Sequence, residues 1–199
     1  MPRAQRESLI LSVAGQVFAR GGYHDASMDQ IAELAEVSKP MLYAYFGSKE
    51  GLYIAYIDRT GGELLERLER AGGDGGGVAG RLHSRIAEFF AFVEEHRDGW
   101  TVLFREHASS GPVAEEVAQL RSQIAATVRR MLDREVAAEC ALDAPASDAL
   151  AHAIVGAGES LANWWLGQRG VSRETVVDWY VGLVQAAVKG ALRSRAPTG

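Results

Sequence analysis

Residues 27–50 read SMDQIAELAEVSKPMLYAYFGSKE, from Ser27 to Glu50, and this stretch decides the fold. Ser27 followed three residues later by Gln30 is a capping box, in which the hydroxyl accepts from a first-turn N–H and Gln30 reaches back. A helix over Met28 to Leu34 follows. It has Ile31, Leu34 and Ala35 on one apolar face, and small Ala32 leaves room for a second helix to cross. Ala35-Glu36-Val37 is long enough only for a turn. Ser38 is a second N-cap, and Pro40 fits only a first helical turn, where its missing N–H costs nothing. The second helix runs from about Lys39 to Tyr45. Leu42 and Phe46 point inward at i, i+4 spacing; Lys39, Met41, Tyr43, Ala44 and Tyr45 remain largely outside. Two tyrosines and a lysine on an exposed short helix suit phosphate and base-edge contact. Two helices joined by a tight turn present the second to a DNA major groove. Ser48 caps a third helix with Lys49 in its first turn, an end whose free N–H groups attract phosphate.

Residues 7 to 52, about a quarter of the chain, resemble the DNA-binding domain of the tetracycline-repressor (TetR) family of bacterial one-component regulators. The matching residues are Phe18, Gly21-Gly22-Tyr23, Ser27, Ile31-Ala32, Ala35 and Val37-Ser38-Lys39-Pro40. Leu42-Tyr43-Ala44-Tyr45-Phe46 and Ser48-Lys49-Glu50-Gly51-Leu52 complete the motif, which is specific because many positions agree at fixed spacing. The resemblance implies an all-α homodimer of about nine helices. A three-helix helix-turn-helix reader is expected over residues 1–47, and a helical effector-binding and dimerisation domain over 48–199. Phosphate contacts are implied for Tyr43, Tyr45 and Lys49. Ser38, Lys39, Pro40 and Met41 are expected at the DNA, Lys39 toward guanine acceptors and Met41 or Ala44 toward thymine methyls. Ser27 fixes a phosphate or only caps its helix. A two-fold dimer must then bind a pseudo-palindromic operator in double-stranded DNA. Repression, relieved by a small effector, is the family's usual outcome, with activation the other. One position departs from the pattern. Glu36 stands where the family usually has glycine, because the backbone there adopts φ > 0, at roughly 1–2 kcal/mol for any other residue.

The chain has 199 residues and a net charge of −5, which by itself argues against a nucleic-acid binder. Residues 1–50 hold five Lys+Arg and six Asp+Glu, or −1, so the reader is not basic on average. Placement must compensate, and Arg3, Arg6, Lys39 and Lys49 can share one face. Arg3 and Arg6 form either a frayed, solvated arm or a minor-groove or phosphate contact. The single cysteine, Cys140, excludes an internal disulfide and a cysteine zinc site and suits a reducing cytosol. No run approaches ~18 uninterrupted apolar residues, so no membrane span is expected and the protein is read as cytoplasmic.

Helical periodicity continues along the rest of the chain. The first helix is expected over Ala4 to Arg20, with Leu9, Ile10, Val13, Ala14, Val17 and Phe18 on its apolar stripe and Gly21-Gly22 ending it. The helix after Lys49 reaches about Arg70, and Gly61-Gly62 inside it marks either a tolerated kink or a hinge. Residues 71–77 form a glycine-rich linker. Further helices are expected over 79–96, 99–108, 113–138, 147–167 and 173–193, and SRAPTG at the end is expected to be disordered.

Two groups of residues in these helices are candidates for sites. Leu150, Ile154, Ala157, Leu161 and Trp165 on one helix, with Val177, Tyr180, Val181, Val184 and Val188 on the next, form either an intrachain core or a dimer face. The resemblance favours the dimer, as a four-helix bundle from two subunits. Phe89, Phe92, Val93, Trp100, Leu103, Phe104 and Trp164 form an aromatic cluster that is either filled core or an effector pocket. Near it, His107, Gln123, Thr127, Glu159 and Asn163 fall close to apolar faces. A mostly apolar cavity with a few polar groups is how small-ligand sites are built, and a hydrophobic or aromatic effector suits it.

An enzyme is not expected. The five histidines are scattered, no His-Glu-x-x-His or Gly-x-Ser-x-Gly pattern occurs, and no cofactor or metal is called for. The rival reading is a helical interaction protein, or a ligand-independent regulator, with DNA binding weakened at Glu36.

Overall fold

The computed structural model describes residues 2–73, 77–104, 111–136 and 143–193. Among these the fold is all-α, in nine helices: α1 (Arg3–Asp25), α2 (Met28–Leu34), α3 (Lys39–Phe46), α4 (Lys49–Arg70), α5 (Gly77–Glu95), α6 (Arg97–Phe104), α7 (Pro112–Val136), α8 (Ala144–Trp165) and α9 (Arg173–Arg193). The spans expected from periodicity agree with these to within a few residues. His107, Cys140 and the terminal SRAPTG lie outside the described residues, as does the side chain of Leu103.

The described helices form two compact units, Met1–Glu63 with His96–Leu120, and Leu64–Glu95 with Arg121–Gly199. In the first unit α1 contributes Ile10, Leu11, Ala14, Val17 and Phe18 to the core, at the spacing of one helical face. Gly22 leaves the helical conformation at φ 73°, so α1 proper stops there and one further turn leads to Asp25. Leu9 is an exception to the expected stripe, 42% exposed, because it falls just outside the arc that α1 buries.

The inner face of α1 is notched at Gly15. A Cβ there would stand 2.3 Å from the ring of Tyr56, which is buried against it. Phe18 meets the edge of Tyr53 at a ring separation of 4.7 Å, and the Tyr53 hydroxyl donates to the Val102 carbonyl at 3.1 Å. This bond fastens α4 to α6, which itself packs along α1. Through Gly61-Gly62 α4 runs without a break. Gly61 is there for space, since a Cβ would meet Leu120 at 2.5 Å.

The second unit is built around Phe90, whose ring stands edge-on to Trp165 at 5.6 Å and to Tyr180 at 5.9 Å. Trp165 donates its indole N–H to the Val171 carbonyl at 2.9 Å, and Tyr180 donates its hydroxyl to the Ile154 carbonyl, so both polar tips are satisfied. Burial pushes the Tyr180 phenol well above the ordinary tyrosine value. Arg67 holds α4 to α5 through Glu88 at 2.7 Å and Glu95 at 2.8 Å, with its guanidinium over the Phe92 ring. Along α7 and α8, Arg121 pairs with Glu159 at 2.6 Å and Ser147 donates to Asp133 at 2.5 Å.

Candidate nucleic-acid interface

The geometry of the reader is set where α2 turns into α3. Ser27 caps α2, its Oγ accepting from the Asp29 N–H at 3.2 Å. Gln30, expected to reach back to this cap, lines an open cleft with Gln16, Arg20 and Leu34. The C-terminus of α2 closes with two bonds, from the Val37 N–H to the Ala32 carbonyl at 2.9 Å and from the Glu36 N–H to the Glu33 carbonyl at 3.1 Å. This pairing is the Schellman ending of a helix, and it places the residue after the cap in the left-handed region. That residue is Glu36, at φ 54°, the one non-glycine with positive φ among the described residues. The backbone conformation expected at this position is therefore the one adopted, with glutamate in place of glycine.

Ser38 caps α3, accepting from the Met41 N–H at 3.3 Å, and Pro40 occupies the first turn. Leu42 is fully buried and anchors the helix; burying a leucine stabilises by roughly 1.5–3 kcal/mol. With Leu42 inward, Lys39, Pro40, Tyr43 and Ala44 are exposed, and Met41, Tyr45 and Phe46 are half-buried. Leu34 does not join the inward face of α2 and is 54% exposed, because the tight turn after Ala35 leaves its last helical position outside the core.

The cations around α3 are not free arms. Lys39 Nζ lies 2.9 Å from each carboxylate oxygen of Asp29, across the turn. That carboxylate raises the Lys39 pKa. Lys49 Nζ donates to the His24 carbonyl at 3.0 Å and the Ala26 carbonyl at 3.1 Å, and sits 4.7 Å from the centre of the Tyr23 ring. It thereby ties the start of α4 to the link between α1 and α2. An ammonium has three donors, so two carbonyls still leave one for a phosphate. The Arg3 guanidinium lies 5.2 Å from the centre of the Tyr45 ring, at the first residue of α1, so the arm that carries it is here helical and adds a charge beside α3. Ser48 caps α4, accepting from the Gly51 N–H at 2.9 Å.

The residues expected to line an effector pocket are distributed over both units. Trp100 and Phe104 belong to the first, buried and 4.2 Å apart between ring centres. Phe89, Phe92, Val93, Gln123, Thr127, Glu159, Asn163 and Trp164 belong to the second. There Phe92, Val93 and Thr127 are buried, and Phe89, Glu159 and Asn163 are half-buried. Thr127 accepts from Arg130, and Glu159 is held by Arg121. Gln123 is exposed, and so is Trp164, whose ring lies 6.4 Å from that of Trp179.

The residues expected at a dimer face divide by depth. Ile154, Trp165, Val177, Tyr180 and Val184 are buried by the chain's own helices, whereas Leu150, Ala157, Leu161, Val181 and Val188 are half-buried. The large apolar side chains left exposed on these two helices are Trp164, Trp179 and Leu183. Sequence reasoning missed Trp179 and Leu183. Their only signal in the sequence is i, i+4 spacing on α9 outside its buried face, which does not say what covers them.

Comparison with known proteins gives two matched segments. Residues 10–56 match the family described as bacterial regulatory proteins, tetR family, and residues 78–187 match the tetracyclin repressor-like C-terminal domain. Over 191 residues the chain is 30% identical to the HTH-type transcriptional activator FasR of Mycolicibacterium smegmatis, covering 96% of this chain and 84% of that protein. A crystal structure of a TetR-like transcriptional regulator from Rhodococcus sp. RHA1 superposes with a TM-score of 0.77 at 34% identity, covering 96% of this chain and 99% of the other. The regulator FadR from Bacillus subtilis, solved in complex with stearoyl-CoA, shares the fold with a TM-score of 0.75 at 18% identity, over 92% and 96% of the two chains.

Proposed function

This chain belongs to the tetR family of bacterial regulatory proteins, and from that premise we propose that it reads a pseudo-palindromic operator as a homodimer and is released by a small hydrophobic or aromatic effector. It is a DNA-binding transcription regulator and not an enzyme. Residues 1–47 act as reader, and residues 48–199 bind effector and dimerise. The observation that carries the reading is the exposed α3 face, with Lys39, Pro40, Tyr43 and Ala44 outward above a fully buried Leu42. Lys39 and Met41 meet base edges there, while Tyr43, Tyr45 and the third donor of Lys49 hold phosphates. The second copy docks on the face carrying Trp164, Trp179 and Leu183, flanked by half-buried Ala157, Leu161 and Val181.

No helix among the described residues is long and apolar enough to cross a membrane. A regulator that reads operators acts where the chromosome is, in the cytoplasm. The effector sits among Phe89, Phe92, Val93, Thr127, Glu159 and Asn163, an apolar set with a few polar groups. Repression by blocking polymerase is the outcome this design gives when the operator overlaps a promoter. The activator name of the Mycolicibacterium smegmatis relative favours a second reading, in which the operator lies upstream and bound protein recruits polymerase.

Selection of bound duplexes from a random library tests the reading. Wild-type protein enriches a two-fold symmetric sequence, and Tyr43→Ala does not. Thermal shift and operator release are then screened with aromatic acids, medium-chain acids and a long-chain acyl-CoA, the last because of the Bacillus subtilis complex. Failure of folded wild-type dimer to enrich any sequence at low salt would bring the interaction-protein reading forward.

A further inference from the structure

The ion pair between Asp29 and Lys39 places a carboxylate on the side of the reader that has to approach phosphates. Both side chains are exposed, 47% for Lys39 and 70% for Asp29, and it is the backbone at each end that is fixed. Asp29 is fixed at the start of α2, where its own N–H is held by the Ser27 cap. Lys39 is fixed at the first position of α3 by Ser38 and Pro40. The bonded turn at Glu36 sets the distance between the two helix starts. Each oxygen of Asp29 lies 2.9 Å from Lys39 Nζ, so one ammonium N–H is shared between them and the charge of Lys39 is balanced by the protein itself. Residues 1–50 hold five cationic and six acidic residues, so the charge neutralised here is a large share of the cationic surface around α3.

We propose that Asp29 is a specificity-determining residue that balances the charge of Lys39 against phosphates while leaving its other N–H donors for a base edge. On arbitrary DNA, a phosphate must compete with a carboxylate already in place, and Lys39 then neutralises none. On the operator, a remaining N–H meets an acceptor such as a guanine O6 or N7 without breaking the pair. Asp29 therefore lowers non-specific binding more than operator binding, and it acts through Lys39 rather than by touching DNA. The inference rests on the reading above, that α3 faces the groove.

The test measures Kd against salt for two duplexes, the selected operator and a scrambled sequence of the same composition, with Asp29→Asn, Asp29→Glu, Lys39→Ala and the Asp29→Asn/Lys39→Ala double variant. Asn keeps the shape of the side chain and can still lie beside the cap, and unfolding midpoints check that each variant is folded. With Asp29→Asn, the scrambled duplex is expected to bind several-fold tighter. Its slope of log K against log salt should steepen by about 0.9 for each reader, one newly neutralised phosphate. The operator should change less, so the ratio of the two affinities falls. Asp29→Glu should restore the wild-type slope, and the Asn substitution should do nothing in the Lys39→Ala background. An unchanged ratio overturns the proposal. So does an effect of Asp29→Asn that persists without Lys39, which would mean a direct repulsion between Asp29 and DNA. Lys39→Ala leaving both duplexes unaffected would overturn the placement of Lys39 at the DNA, and the proposal with it, whereas Lys39→Ala weakening binding while Asp29→Asn is neutral overturns the proposal alone.

Discussion

The amide of Val37 reaches back to the carbonyl of Ala32 at 2.9 Å, and the residue this bond forces into the left-handed region is Glu36, at φ 54°. An L-residue with a side chain is strained there by roughly 1–2 kcal/mol, and glycine is not. Glu36→Gly is expected to raise the stability of the protein by about 1 kcal/mol, since glycine's extra freedom in the unfolded chain offsets part of the relief. Operator affinity should not fall, because the two bonds that set the turn come from the backbone. Urea unfolding and operator titration check both; a lower midpoint or weaker binding would show that Glu36 has a role of its own.

Lys49 supports the reader from inside. Lys49→Met keeps the stem but removes the donors to the His24 and Ala26 carbonyls and the charge over Tyr23. Stability should fall by roughly 1 kcal/mol, below the usual range for a charged hydrogen bond because the site is partly exposed. Operator affinity should fall as well. Wild-type stability in this variant would mean that Lys49 is held there without contributing.

Trp179 and Leu183 are more than half exposed, so changing them does not open the core of a single chain. Leu183→Glu is expected to leave far-ultraviolet circular dichroism intact while sedimentation shows a monomer. Affinity for the full operator should then drop by about 100-fold or more, because linked half-site binding is lost, while affinity for a half-site barely changes. A Leu183→Glu protein that sediments as wild type would place the two-fold interface elsewhere.

Glu116 of α7 has its pKa raised, first by desolvation and then by the charge and hydrogen bond of Asp58 on α4. A carboxyl whose folded pKa lies above its unfolded value stabilises the fold fully below the unfolded value and loses that contribution as pH rises through the folded one. Glu116→Gln removes the titration. The variant should match wild type in mildly acidic buffer below the ordinary glutamate value and become the more stable of the two as pH climbs past it. Thermal melts across that range check the sign; a gap that closes with rising pH would contradict it.

Much of the reader was legible because its punctuation is local. Ser27, Ser38 and Pro40 can each do one thing at a helix start, and α2 and α3 begin where these residues place them. The left-handed turn at Glu36 was legible only through the family resemblance, which has glycine there. What periodicity could not resolve was the second side of α9. Val176, Val177, Tyr180 and Val184 turn inward, and Trp179 and Leu183 turn out, yet both sets have helical spacing. Spacing identifies apolar faces and not which partner covers each. Partners far apart in sequence were equally hidden. A lysine at a helix start suits a phosphate and a pair of backbone carbonyls alike, so Lys49 and His24 could not be joined from sequence, nor Lys39 and Asp29. The polar residues expected beside the aromatic cluster met the same limit. Gln123 lies on the exposed side of α7, whereas Thr127, one turn later, is buried and bonded to Arg130.

The notch at Gly15 also constrains the order in which descendants of this sequence can change. Alanine at position 15 is closed to any lineage that still carries Tyr56, because the new methyl and the ring would claim the same space. A lineage that first shortens Tyr56 opens the position and, having filled it, cannot easily restore the tyrosine. The two sites are therefore coupled, and their substitutions should occur in one order and be hard to reverse.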